Sequence, residues 1–425
     1  MCYMKISLKN VAIVEKAEIE INGITVVAGL NGSGKTTAAK AIYASVNAYT
    51  DLSKRIKDSR QRSMYNSVAN VLKKHAEIRS QVDYYSMVFS LSNNFPFQNF
   101  VGKEITECGQ EIRKYIAQWA NETNSEIGNE SIVEEIYESI LNSVTRTDEE
   151  YIKFLVESKY LNVFSHQINC LKNDQITEIE TKLDDLELVA NFEDNELTGC
   201  VQSVECAKKA IYIESFNVLD MFKNYRMFIR PVSNGTIASR ELLSYLIPSD
   251  ENEEQSFEEY ENNKELKRII DIIISKVTHG KLNVDANGNI AFFDNTTNKP
   301  IKIANLSAGI KVFVILQSLL ENGQLKKEDI LLIDEPEVNL HPEWQVVFAE
   351  ILVLLQKEIG LNIYVNTHSP YFARAIEVKL AENGIADKGR FYLFREQENN
   401  LCISEDVTNC TERIYSMLYK PLESL

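Results

Sequence analysis

No apolar run in the 425 residues approaches the roughly 20 needed for a membrane-spanning helix. The first residues, MCYMKISLKNVAIVEK, also lack the long apolar centre of a secretory signal. The expectation is a cytoplasmic protein with no membrane partner. Seven cysteines are scattered from Cys2 to Cys410 with no CxxC pair, which argues against a disulfide framework or a zinc site. Histidines number five and are equally dispersed, so only those inside motifs carry weight. Positive charge is also short: 45 Lys and Arg stand against 62 Asp and Glu, a net charge of −17. Such a field repels phosphate backbones, so nucleic-acid binding would need a locally basic patch. The best candidate, KRIKDSRQR at Lys54 to Arg62, reads more simply as a solvated helix face.

What is present is an ordinary globular composition, 44% hydrophobic and 25% charged, in a chain long enough for two or three domain-sized units. Residues 1 to 30 alternate as short strands and end in the β-branched run ITVVAG. From Lys35 to Tyr49 the pattern is helical, and residues 50 to 205 continue as a mostly helical insertion. Within it Ile132, Val133, Ile136, Tyr137, Ile140, Leu141 and Val144 fall on one helical face, and Thr147 with Glu150 suits a capping box. The heptads are not sustained, so a compact helical lobe is expected rather than a coiled-coil arm. From residue 206 to 425 strands return: AIYIES, then ILLID, NIYVNT and RFYLF alternating with helices. An acidic loop is expected at about 249 to 263, and a hairpin turning near Asn287-Gly288. The two chain ends, 1 to 49 and 206 to 425, thus predict one α/β domain with a mixed, mainly parallel sheet.

Four stretches carry chemistry. GLNGSGKTT, Gly29 to Thr37, fits GxxxxGK followed by Ser or Thr, and lies between a strand and a helix. The loop of Gly29, Asn31, Gly32, Ser33 and Gly34 lets backbone amides wrap phosphate oxygens, aided by the helix N-terminus. Lys35 is expected at the β- and γ-phosphates and the Thr36 hydroxyl on Mg²⁺, with Thr37 completing the loop. ILLIDEPEVNLHPEWQ, Ile330 to Gln345, ends a buried strand with two acids. Burying both needs a cation. Asp334 is expected to hold Mg²⁺, and Glu335 to polarise the water that attacks the γ-phosphate. NLSAGIKVF places Ser307 and Gly309 at the start of an apolar helix, where nothing else in the chain obviously needs them. YVNTHSP ends another buried strand at His368, positioned to sense a γ-phosphate.

In this order the motifs resemble the ABC-type ATPase head, closest to the SMC and double-strand-break-repair heads and the OLD (overcoming lysogenization defect) ATPases. DEPEVNLHPEWQ and NTHSPYF are similar to OLD-type and anti-phage-defence ATPases, including the ATPase subunit of Septu-like systems. The resemblance covers about residues 1 to 49 and 270 to 425. It implies ATP and Mg²⁺ as cofactors, and a head-to-head dimer, possibly within a larger assembly, that sandwiches two ATP molecules. Ser307 and Gly309 would then contact the γ-phosphate held by the opposite protomer's Lys35. Asn339 and His341 would cross the interface, and catalysis would fall to Glu335, His368 and Lys35. LSGGQ of the family stands here as Leu306-Ser307-Ala308-Gly309-Ile310, and His341 replaces an aspartate. The metal-shell glutamine has two candidate places, Gln81 and the region of YIESF. OLD proteins carry a nuclease domain after the head, and none is expected here. The implied function is a slow, regulated ATPase subunit controlling a separate nuclease in a prokaryotic anti-phage complex. The alternative is an SMC-like ATPase for DNA repair or tethering, which would need longer arms and a basic surface.

Overall fold

A computed structural model describes residues 3–75, 84–123, 129–173, 175–201, 204–224, 235–247, 257–284 and 289–420. The chain begins with three strands, β1 (Met4–Val11), β2 (Val14–Ile21) and β3 (Ile24–Gly29), then α1 (Lys35–Tyr49). Helices α2 (Leu52–Lys74), α3 (Tyr84–Asn94), α4 (Ile105–Thr123), α5 (Glu130–Thr145) and α6 (Asp148–Val163) follow. Three strands come next, β4 (Thr177–Leu183), β5 (Leu186–Glu193) and β6 (Glu196–Cys200). Then come β7 (Ala210–Ile213), α7 (Ile237–Leu246), α8 (Phe257–Ile273) and the small sheet of β8 (Gly280–Val284), β9 (Ile290–Asp294) and β10 (Pro300–Ile301). The C-terminal part adds α9 (Ala308–Glu321), β11 (Ile330–Asp334), α10 (Pro342–Leu354) and β12 (Asn362–Thr367). It closes with α11 (Pro370–Glu382), β13 (Gly389–Glu396), β14 (Cys402–Asp406) and α12 (Glu412–Tyr419).

The chain divides into two units. The larger comprises residues 1–48, 159–201 and 207–425 and is built on one sheet, ordered β6-β5-β4-β1-β2-β14-β13-β3-β12-β11-β7 among the described residues. Two halves of that sheet obey different sequence rules. From β13 to β7 all pairings are parallel, and β3, β12 and β7 are buried along their whole length. Helices on both faces of a parallel sheet demand near-continuous apolar runs, and ITVVAG, ILLID and AIYI supply them. From β2 to β6 the pairings are antiparallel. Strands β1 and β4 bury alternate residues there, as one-sided packing requires. Helix α9 is buried almost throughout and packs with α10 and the parallel strands in one apolar core.

The smaller unit comprises residues 49–158 and 202–206. Met64, Val68 and Leu72 of α2 meet Val88 and Leu91 of α3, Ile112 and Ile116 of α4, and Ile136 and Ile140 of α5 in its core. The α5 face read from periodicity is buried at Ile132, Val133, Ile136, Tyr137, Ile140 and Val144. The capping box forms: Thr147 N donates to Glu150 Oε2 at 2.9 Å, and Glu150 N to Thr147 Oγ1 at 3.3 Å. Arg60, within the basic run, is buried, pairs with Asp148 at 2.7 Å and lies over the Tyr151 ring. It is a structural cation rather than part of a basic surface.

Two expectations need correction, and part of a third lies outside the described residues. Residues 159–201 of the expected lobe belong to the larger unit, and residues 177–200 are strands. Thr177, Ile179, Thr181 and Leu183 are buried at period two, a signal that threonine's polarity masks. The expected acidic loop at 249 to 263 overlaps α8, which starts at Phe257; residues 249–256 lie outside the described residues. The hairpin pairs β8 with β9 antiparallel, but the turn at Asn287-Gly288 also lies outside them.

Candidate active site

In the parallel half, β12 separates β3 from β11, and the carboxyl ends of all three meet in register. Thr367 pairs with Ala28, and Asn366 with Asp334. Ligands of open α/β sheets bind at this edge. β3 runs into the Gly29–Gly34 turn and then α1. Gly34 has φ +93°, and a Cβ there would stand 2.6 Å from the Val14 side chain, so both backbone and space require glycine. Ala38 N is the first α1 amide to reach a backbone acceptor, Gly34 O at 3.1 Å. The amides of Lys35, Thr36 and Thr37 before it make no backbone hydrogen bond among the described residues. Ser33 Oγ is likewise buried without a partner. Asn31 and Gly32 are exposed.

Lys35 folds back on this loop. Its Nζ donates to Gly29 O at 3.1 Å and Leu30 O at 2.9 Å, and the residue is only 4% exposed. Burial pushes its pKa down to about 8, against the upward pull of Glu335, Asp334 and Glu337. A buried ammonium whose hydrogen-bond acceptors are two carbonyls has donor capacity left for an anion.

Asp334 and Glu335 diverge. Asp334 Oδ2 accepts from Thr36 Oγ1 at 3.0 Å and from the Tyr212 hydroxyl at 2.7 Å, while Oδ1 accepts from the Asn366 amide. Burial raises the Asp334 pKa, and those three donors oppose the rise. Glu335 adopts left-handed backbone geometry, φ 46°, which swings its side chain away from the strand direction. Its Oε1 lies 2.7 Å from His368 Nε2. The turn carrying His368 is held by Glu337, whose Oε1 accepts from Thr367 Oγ1, His368 N and Ser369 N at 2.7, 2.6 and 3.1 Å. Burial raises the Glu337 pKa as well.

Ser307 caps α9, its Oγ accepting from Ile310 N at 3.3 Å. Gly309 lies against Asn339 and the first turn of α10: a Cβ would stand 2.8 Å from Asn339 O and 3.1 Å from the Trp344 ring. The chain therefore has its own need for both residues, contrary to the sequence reading. Ser307 and Asn339 are exposed, and so is His341, which caps α10.

Gln81 lies outside the described residues. In the YIESF region the residue that reaches Asp334 is Tyr212, while Glu214 accepts from Thr236. Sequence reasoning missed Tyr212, Asn366 and Glu337. A tyrosine inside a buried strand was the available signal, because its hydroxyl must find a partner. Among the described residues no group of three or more His, Cys, Asp or Glu could hold a metal. Thr36 and Asp334 nevertheless suit a hard cation that takes its remaining ligands from phosphate and water. Ala12, Ile13, Gln167, Asn169, Leu171 and Lys172 line a cavity of about 260 Å³. Ile13 is the link to the loop: its side chain lies 3.5 Å from the position a Gly34 Cβ would take.

One curated relative, a Methanosarcina acetivorans protein provisionally described as an ABC transporter ATP-binding protein, is 29% identical over 92 residues. That match spans 20% of this chain and 27% of the relative's length. Among solved structures, the SMC head domain from Thermotoga maritima aligns over 96% of this chain and 99% of its own, at 11% identity and TM-score 0.39. An ATP-binding cassette solved as a dimer with ADP and Pi aligns over 95% and 98%, at 11% identity and TM-score 0.34. A family model described as an AAA ATPase domain matches residues 1–373. With that match covering most of its length, the chain belongs to the AAA ATPase domain family.

Proposed function

We propose that this chain is an ABC-type ATPase subunit that binds ATP with Mg²⁺, hydrolyses it slowly, and works as a dimer of heads. The observation that carries the reading is the convergence of Lys35, Thr36, Asp334, Glu335 and His368 at one sheet edge. The free first amides of α1, Ser33 Oγ and Lys35 Nζ take the β- and γ-phosphates. Mg²⁺, when bound, neutralises phosphate charge beside Thr36 and Asp334. Glu335 orients the attacking water and accepts its proton, and His368 fixes the direction of that carboxylate. In the free protein Lys35 is bonded to its own loop and Glu335 to His368. Lys35 Nζ keeps one donor for phosphate and Glu335 stays on His368 through turnover, while the slow, regulated character is taken from the family resemblance alone. Ser307 and Gly309 of a second copy close over the γ-phosphate. The OLD-like DEPEVNLHPEW segment supports a role in prokaryotic anti-phage defence, in the cytoplasm, with a separate nuclease as effector.

Calorimetry tests the binding half of this reading. Lys35→Ala removes charge-assisted hydrogen bonds and should weaken ATP affinity by about 10- to 100-fold. Unchanged affinity would refute it. Co-purification with the product of the neighbouring reading frame tests the other half. A nuclease whose DNA cleavage depends on ATP and on Lys35 supports the defence role, and cleavage indifferent to both removes it.

A further inference from the structure

We propose that Glu337 is a positioning residue for hydrolysis, acting through His368 rather than on the nucleotide. The inference rests on the reading of Glu335 and His368 as the hydrolytic pair. Glu337 is buried in the short helical turn Pro336–Asn339, two residues after the acid that meets the histidine. A single oxygen of it, Oε1, gathers the Thr367 hydroxyl and the amides of His368 and Ser369. Two of these three donors are backbone groups, so the carboxylate fixes the main chain of the turn, and with it the origin of the imidazole. A second tie runs parallel: Ser369 Oγ donates to Gln345 Oε1 at 2.8 Å, and Gln345 Nε2 donates to Leu340 O at 3.1 Å.

The turn that presents His368 is thus bonded at two points to the segment leaving Glu335, and the 2.7 Å contact between Glu335 and His368 closes a loop of interactions. The other carboxylate oxygen of Glu337, Oε2, is buried and has no hydrogen-bond partner. Burying an acid with one oxygen unsatisfied is costly, and a neutral side chain would fill the same space more cheaply. A residue serving packing alone has no reason to be glutamate here. An acceptor able to serve three donors at once does.

This makes a prediction that separates positioning from packing. A misplacement of about 1 Å costs on the order of 10²-fold in rate, so Glu337→Ala should lower kcat about 10- to 100-fold. ATP Kd and KM should stay within about twofold, because no phosphate-binding group is touched. Glu337→Gln keeps an acceptor oxygen at the same place and should recover most of the lost rate. The decisive comparison is made in the His368→Ala background. If Glu337 acts through the imidazole, Glu337→Ala should cost less than about threefold more there. Losses that multiply, or a folded Glu337→Ala protein with wild-type kcat, overturn the proposal while leaving the hydrolytic pair intact. Wild-type hydrolysis by His368→Ala itself would overturn both the pair and the proposal.

Discussion

The ammonium of Lys35 lies under two opposing demands. Burial lowers its pKa to about 8 in the free protein, whereas bound phosphate needs it charged. ATP binding near pH 8 should therefore take up about half a proton at this group, and almost none at pH 6.5, where it is already protonated. Calorimetry in buffers of different ionisation enthalpy reads this directly, and Lys35→Met should abolish the difference between the two pH values. The same shift has a stability consequence. The folded pKa lies below the ordinary value of 10.5, so the unfolded chain binds more protons between pH 8 and 10.5. Stability of the free protein should rise across that window relative to Lys35→Met. At the same scale, much of the site's polar framework could not be read from sequence. Motif spacing located Lys35, Thr36, Asp334, Glu335 and His368. It gave no sign that Tyr212 and Asn366 complete the shell of Asp334, because those contacts depend on strand order β12-β11-β7.

At the level of elements, legibility followed how strongly a pattern is forced. The parallel strands β3, β11 and β12 were readable because burial on both faces leaves only apolar runs. Helix α1 begins at Lys35, as the loop motif requires. Strand β4 was not readable because Thr177 and Thr181 occupy buried positions of its alternating face and break the apolar period. The apolar face of α5 was legible, and it offers a test of the smaller unit by itself. Ile140 is fully buried in that core, so Ile140→Ala should cost about 2–5 kcal/mol. Hydrogen exchange of α2, α4 and α5 amides would report the loss. ATP affinity, set by residues of the larger unit, should change less than twofold.

For the whole molecule, the question is whether one chain suffices. Ser307 and Gly309 already serve their own helix and the Asn339–Trp344 segment, so a second role at an opposing nucleotide must be tested in trans. Ser307→Arg should leave ATP binding nearly intact and abolish ATP-dependent association and hydrolysis. Mixing it with Lys35→Ala subunits creates heterodimers in which one composite site carries both defects and the other neither. Activity of up to about half per dimer should return if each composite site works alone. Heterodimers that form and stay inactive would mean that the sites fire together or that Ser307 acts within its own chain. Among the described residues no helix is long and apolar enough to cross a membrane.

The central claim is that the acid after the buried strand end performs the chemistry while its neighbours hold the nucleotide. Glu335→Gln tests it most directly, because the amide keeps the size of the carboxylate and loses its basicity. ATP affinity and single-turnover hydrolysis should be measured on the same preparation. Affinity should stay within about threefold of wild type, with hydrolysis slowed about 10²- to 10⁴-fold. Hydrolysis at the wild-type rate, with ATP bound normally, would contradict it and place the base on another residue.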